Sequence, residues 1–148
     1  GKSMVAEEIG LNEYLEEHGV EPIETDLGEY IIQLRNEPPS HIIAPAIHVN
    51  KEQVVEAFRK KHTDLPPDRP LEEVGDITDE ARTQLRPKFF AADVGITGAN
   101  FLIAETGQTV IVTNEGNGDL TQTLGKAHVV VASLEKIVPT LEDASMWC

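Results

Sequence analysis

Helix-type spacing of apolar residues marks three stretches of the chain. In residues 27–34 the positions i, i+3, i+4 and i+7 are apolar, which predicts a short helix with one apolar face. Asn50 is placed to cap a second predicted helix, Lys51–Lys61. The pattern of Asp76–Ala92 predicts a third helix, which Pro87 must either kink or divide in two.

Short runs of β-type residues predict the strands. His41–Ala44 lies between prolines and is interpreted as a buried strand. Phe101–Glu105 and Val110–Thr113 are joined by a turn at Gly107, which indicates a β-hairpin. His128–Ala132 predicts a further buried strand. This order of strands and helices favours an α/β fold with an open mixed sheet, flanking helices and one hairpin.

Two glycine-rich segments are interpreted as connections. Asp93–Asn100 is expected to turn the chain before the hairpin, and Asn114–Gly118 is expected to form a loop after it. The second segment contains G-x-G after a strand, as a dinucleotide-binding fingerprint does. However, Thr121 replaces the third glycine. Only about eight residues separate Gly118 from the next predicted strand, and a crossover between parallel strands needs about a dozen or more. The sequence therefore predicts no NAD site.

Net charge narrows the classes of partner. The chain has 148 residues, and 26 acidic against 12 basic side chains give a net charge of −14. A field of this sign repels phosphate backbones and anionic lipid heads, so neither nucleic acid nor a membrane surface is an expected partner. A surplus of glutamate also serves simply to keep a protein soluble. No apolar run approaches the roughly 20 residues of a membrane span, and the expected compartment is the cytoplasm.

The single cysteine, Cys148, limits the cofactors that these residues can hold. An iron–sulfur cluster needs about four thiolates, and a cysteine-rich zinc site needs about two to four. The histidines on or beside predicted strands, His41, His48 and His128, show no i, i+3 or i, i+4 spacing. The sequence therefore predicts no metal site and no cofactor within this chain.

A polar cluster flanks the predicted hairpin on both sides. Glu105 and Glu115 are its carboxylates, and two carboxylates held together can serve as an acid and a base. His48 is a third candidate catalytic residue, because it ends a strand, and open α/β sheets bind ligands at strand carboxyl ends. Amides and glycine N–H groups could hold a small acid or phosphate, although turns require the same residue types. The candidate substrate-binding residues are Asn100, Thr106, Gly107, Asn114, Gly116 and Asn117.

Three longer stretches carry a family resemblance. They are Thr25–Leu34, Pro39–His48 and Ala92–Phe101, and the third continues through Ala104–Gly107 to Thr113–Gly118. With these motifs the chain resembles the LUD (lactate utilisation) domain over nearly its whole length. Among LUD domains, it most resembles the one in the iron–sulfur-binding subunit of the bacterial L-lactate oxidation system.

The resemblance implies a fold like that of glucosamine-6-phosphate isomerase, ribose-5-phosphate isomerase and CoA transferases. It implies NAD-independent oxidation of L-lactate, a small carboxylic acid, to pyruvate together with other lactate utilisation subunits. In the full-length parent a cysteine-rich, ferredoxin-like module with 4Fe–4S clusters follows the domain. Residues 1–148 lack those cysteines, so they are expected to form one LUD-like domain of a longer protein, inactive in isolation. The alternative is a non-catalytic scaffold that docks partner subunits.

Overall fold

Ile23–Ala91 forms one structural unit, and Gly1–Pro22 together with Ala92–Cys148 forms a second. The computed structural model describes residues 3–37, 40, 45–113 and 115–146. The predicted strand His41–Ala44 lies outside the described residues. Helices dominate the first unit, here called the helical unit, and strands mark the second, the sheet unit.

The bounds of the elements follow the chain from Met4 to Ser145. The helices are α1 Met4–Glu8, α2 Leu11–Glu17, α3 Leu27–Arg35, α4 Lys51–Lys61, α5 Val74–Ala91, α6 Asn117–Leu124 and α7 Leu141–Ser145. The strands are β1 Val94–Thr97, β2 Phe101–Ile103, β3 Thr109–Val110, β4 Ala127–Val130 and β5 Ile137–Val138. None of the described helices combines the length and the apolar composition that crossing a bilayer requires.

The helices predicted from apolar spacing form the helical unit. The prediction for α4 is confirmed to the residue, and Asn50 caps it as expected. The Asn50 side chain accepts from the Gln53 backbone N–H at 2.9 Å, and the Gln53 side chain accepts from the Asn50 backbone N–H at 2.9 Å. α5 runs through Pro87 as one continuous helix, so this proline does not divide it.

Apolar faces of α3, α4 and α5 meet in the core of the helical unit. Phe58 is 0% exposed, and complete burial of such a side chain stabilises a fold by about 1.5–3 kcal/mol. The core cluster consists of Tyr30, Ile31, Val54, Phe58, Leu71, Ile77, Ala81 and Leu85.

The sheet unit contains two small open sheets. β1 pairs in parallel with β4, in the register Val94↔Ala127 to Thr97↔Val130. β2 is the middle strand of the second sheet, antiparallel to β3 and parallel to β5. The predicted mixed α/β class and the predicted hairpin are therefore confirmed.

Two connections expected from glycine content are in part secondary structure. Asp93–Asn100 contains β1, and the expected loop Asn114–Gly118 gives way to α6 at its last two residues. The glycine of β1 permits close packing rather than a turn: a Cβ on Gly95 would lie 1.8 Å from the Thr121 carbonyl oxygen of α6. α6 is not predicted from the sequence because its N-cap residue is Gly116, which has no side chain to cap the helix.

Candidate functional site

Glu105 lies at the carboxyl end of a parallel strand pair. The Ala104 N–H donates to the Val138 carbonyl at 2.9 Å, and the Glu105 N–H donates to the Pro139 carbonyl at 3.1 Å. Because β2 and β5 are parallel, both strands end at the same edge of the sheet. Open α/β sheets bind ligands at this kind of edge.

A cavity of about 580 Å³ opens beside Glu105. Two carboxylates face it, and two hydroxyls, already hydrogen-bonded within α7 and its cap, complete its polar lining. The Thr140 hydroxyl donates to Asp143 Oδ2 at 2.7 Å, and the Ser145 hydroxyl donates to the Glu142 carbonyl at 2.7 Å. The lining is therefore negative, and it suits a cationic group better than a lone carboxylate. Its residues are Glu105, Thr140, Leu141, Glu142 and Ser145.

Four of the five lining residues are not predicted as site residues from the sequence: Thr140, Leu141, Glu142 and Ser145. A local signal for them exists, since Thr140 and Asp143 form a capping box directly after β5. That box marks a helix start at the end of a strand. What no local pattern shows is that β5 pairs with β2 and so brings α7 beside Glu105.

Thr106 and Gly107 make the turn of the hairpin. The Gly107 N–H donates to the Ile103 carbonyl at 2.8 Å. The Thr106 hydroxyl donates to Gln108 Oε1 at 3.0 Å and accepts from the Gln108 N–H at 3.3 Å. The two residues follow Glu105 in sequence, and the hydrogen bonds that they make are those of a tight turn.

Asn100 lies at the opposite end of the hairpin from Glu105. Its N–H donates to the Val110 carbonyl at 2.8 Å, and its side-chain oxygen accepts from the Val112 N–H at 2.8 Å. These bonds close the hairpin at the end where β2 begins. Asn100 and Glu105 are thus held apart by the length of β2.

Glu115, Gly116 and Asn117 belong to the segment that leaves the hairpin at its Asn100 end. Asn117 is buried, and its side-chain nitrogen donates to Glu115 Oε2 at 3.2 Å. Its side-chain oxygen accepts from the Gly118 N–H at 2.8 Å at the start of α6. Asn114 lies outside the described residues. The structure therefore groups Glu115 with Asn117, and the pairing of Glu105 with Glu115 as acid and base stays a prediction.

His48 belongs to the helical unit and holds an exposed position between two oxygens. Its Nδ1 lies 2.8 Å from Ser40 Oγ, and its Nε2 lies 3.2 Å from Glu37 Oε2. Arg35 reaches the same carboxylate twice, at 2.9 and 2.7 Å. Hydrogen bonds from Arg35 and then from His48 lower the pKa of Glu37, so this side chain is a carboxylate at neutral pH. Arg35 and His48 thus already hold one carboxylate, which spacing in the sequence did not indicate.

The donor set of this chain does not fit an iron–sulfur cluster. Such clusters are held by several thiolates, and the sequence contains one cysteine. Across residues 3–37, 40, 45–113 and 115–146, no three or more His, Cys, Asp or Glu side chains are grouped so that they could hold a metal ion.

Comparison with known proteins identifies similar chains. The family model of the LUD domain matches residues 5–146. Lactate utilization protein B of Bacillus subtilis (strain 168) is 50% identical over 147 residues, which cover 96% of this chain and 29% of that protein. Lactate utilization protein B of Shouchella clausii (strain KSM-K16) is 51% identical over 152 residues, covering 99% of this chain and 31% of that protein. The chain thus spans about three tenths of the length of these curated relatives. No solved structure matches it significantly.

Proposed function

Because the chain belongs to the LUD domain family, we propose that it is a domain of a lactate utilisation protein and takes part in the oxidation of L-lactate to pyruvate. The observation that carries this proposal is 50% identity, over 96% of the chain, to lactate utilization protein B of Bacillus subtilis. That match covers 29% of the relative. The reaction is therefore assigned to a multi-protein, NAD-independent oxidoreductase complex rather than to these residues alone.

The proposed fold is that of glucosamine-6-phosphate isomerase, ribose-5-phosphate isomerase and CoA transferases. Its support lies in the sheet unit, where β1 and β4 are parallel and α6 packs against β1. The parallel pair β2–β5 with its antiparallel neighbour β3 adds to this support.

Conversion of lactate to pyruvate removes two electrons and two protons from the substrate. One cysteine cannot hold the cluster that would take up these electrons. The 4Fe–4S clusters are therefore assigned to the cysteine-rich, ferredoxin-like module of a full-length parent. The role left for this domain is to bind substrate, to move a proton, or to hold the partner subunits in place.

Within the domain, Glu105, Glu115 and His48 are the proposed acid–base groups. Glu105 has the strongest support, because it lines a cavity at the carboxyl ends of two parallel strands. Glu142 makes that cavity more acidic, so an anionic substrate needs an added cation. We assign that cation to a partner subunit, which makes the site complete only in the complex. Asn100, Thr106, Gly107, Asn114, Gly116 and Asn117 remain the proposed substrate-binding residues.

The scaffold function is the second candidate. The observation that favours it is that the hydroxyls of Thr140 and Ser145 are already hydrogen-bonded within α7 and its cap. The Thr106 hydroxyl and the Asn100 side-chain oxygen are likewise hydrogen-bonded, in the turn and in the closure of the hairpin. In that case the negative cavity would receive a basic side chain of a partner subunit rather than a substrate.

Substitution in the intact system separates the two functions. The full-length parent protein carrying Glu105→Gln or His48→Gln is expressed with its partner subunits, and L-lactate oxidation is measured. Loss of a general acid or base lowers the rate by about 100-fold or more, and this is the expected result for Glu105→Gln. The matched control is Glu16→Gln, the same change at an exposed site of α2, which leaves the rate unchanged.

Each outcome has a definite meaning. If both variants oxidise lactate at the wild-type rate, the acid–base roles of Glu105 and His48 are wrong and the scaffold function is favoured. If a parent protein from which this domain is deleted still supports oxidation, participation of the domain in the reaction is itself contradicted.

A further inference from the structure

A buried polar network links three helices of the helical unit. The Tyr30 hydroxyl of α3 lies 2.9 Å from His62 Nε2, and His62 Nδ1 lies 3.0 Å from Glu80 Oε1 of α5. His62 is the residue that ends α4, and its backbone N–H donates to the Phe58 carbonyl at 2.8 Å. Tyr30, His62 and Glu80 are 3%, 5% and 2% exposed. One imidazole ring therefore connects α3, the end of α4 and α5 inside the core.

Hydrogen-bond chemistry fixes which atom donates in this network. An ionised carboxylate only accepts, so His62 Nδ1–H donates to Glu80. The other nitrogen of a neutral imidazole is then an acceptor, and the Tyr30 hydroxyl donates to it. All three side chains are satisfied together when His62 is neutral and Glu80 is charged.

Burial and the charge of Lys88 favour a neutral His62, whereas the charge of Glu80 opposes it. Glu80 also accepts from Gln84 Nε2 at 3.0 Å and lies 3.6 Å from Arg69 Nε. Burial is the largest single influence on the pKa of His62 and lowers it, the hydrogen bond and charge of Glu80 raise it, the charge of Lys88 lowers it, and the net effect is a lowered pKa. Burial, with a smaller contribution from the charge of Glu80, raises the pKa of Tyr30 to about 12.

A proton added to His62 removes the match of donors and acceptors among the three side chains. Both ring nitrogens would then carry hydrogen, and Nε2–H would point at the Tyr30 oxygen. The Tyr30 hydroxyl hydrogen would then lose His62 Nε2 as its acceptor, and Tyr30 is only 3% exposed, so water does not replace it. A buried donor without an acceptor destabilises the packing around it.

We propose that the Tyr30–His62–Glu80 network is an acid-sensitive lock on the helical unit: protonation of His62 reverses its hydrogen bond to Tyr30, leaves the Tyr30 hydroxyl hydrogen without its acceptor, and loosens α3 and α5 from the end of α4. The sign follows from proton linkage. The folded state prefers neutral His62, so the lock is fully closed above the ordinary histidine pKa of 6.5. Its stabilising contribution is lost as the pH falls from that value through the lower pKa of the folded ring.

Hydrogen exchange of the 148-residue chain at pH 7.5 and 5.5 tests the lock, with protection factors corrected for intrinsic exchange rates. In the wild type, protection of α3 and α5 amides is expected to fall more than about fivefold at the lower pH. His62→Gln has no titrating ring, so its protection is expected to be lower at pH 7.5 but nearly independent of pH. The control His18→Gln removes an exposed imidazole and keeps the wild-type pH response.

Imidazole ¹⁵N NMR on the unmodified chain gives a second readout that does not depend on the folding of a variant. The expected result is a neutral His62 ring with hydrogen on Nδ1 at pH 7.5 and a titration midpoint below 6.5. A ring that is charged at pH 7.5, or that carries its hydrogen on Nε2, would overturn the proposal. An equal pH response of wild type and His62→Gln in hydrogen exchange would do the same.

Discussion

Single residues determine how closely helix and sheet approach in the sheet unit. Gly95 lies in β1 under α6, where any Cβ would meet the Thr121 carbonyl oxygen at 1.8 Å. The sequence shows the glycine but not its purpose, because the same residue serves turns and close contacts alike. Asp93–Asn100 was therefore expected to turn, although Gly95 itself sits in an ordinary extended strand. Only the neighbouring helix reveals why glycine is required.

Gly95→Ala is expected to destabilise the sheet unit. The methyl group collides with backbone atoms of α6, which cannot rotate away, and overpacking of this kind costs about 1–3 kcal/mol. The measurement is the urea midpoint of the purified chain. Gly98→Ala is the matched control, since its Cβ would lie 3.6 Å from Ser3 Oγ and no nearer to any other atom. Equal midpoints for the two variants would show that the contact of α6 with β1 is not as tight as described.

Helices and strands differ in how far their own local sequence determines their structure. α4 could be predicted to the residue, because Asn50 and Gln53 form a capping box and apolar residues recur at helical spacing. α6 could not, because its buried positions are Asn117, Gly118 and Thr121, which give no apolar period. Prediction of the site is limited in the same way. The local sequence predicts Glu105 as a site residue, but the cavity beside it depends on the pairing of β2 with β5, which is non-local.

Asn50→Ala is expected to weaken α4. The side chain satisfies an otherwise unpaired backbone N–H at the first turn, and loss of such a cap costs about 0.5–2 kcal/mol. Urea unfolding of the chain measures the loss. Asn50→Ser keeps an oxygen acceptor and should retain most of the stability. If alanine and serine were equally destabilising, the capping bond would not be the cause.

At the scale of the whole molecule, the sequence motifs and the comparisons lead to the same family, while the chain spans about three tenths of its relatives. A small acidic domain with one cysteine cannot oxidise lactate with iron–sulfur clusters of its own. The proposed function therefore assigns the clusters to protein segments or subunits other than these 148 residues. The negative cavity beside Glu105 supports the same view, because an anionic substrate there needs a cation that its lining does not supply.

A chimaera tests this central claim most directly. In lactate utilization protein B of Bacillus subtilis, the region similar to this chain is replaced by residues 5–146 of this protein. The chimaera is returned to cells that lack the native protein, and oxidation of L-lactate is measured alongside the amount of chimaera present. The account predicts that oxidation is restored. A chimaera that accumulates, folds and associates with its partner subunits, yet restores no lactate oxidation, would contradict it.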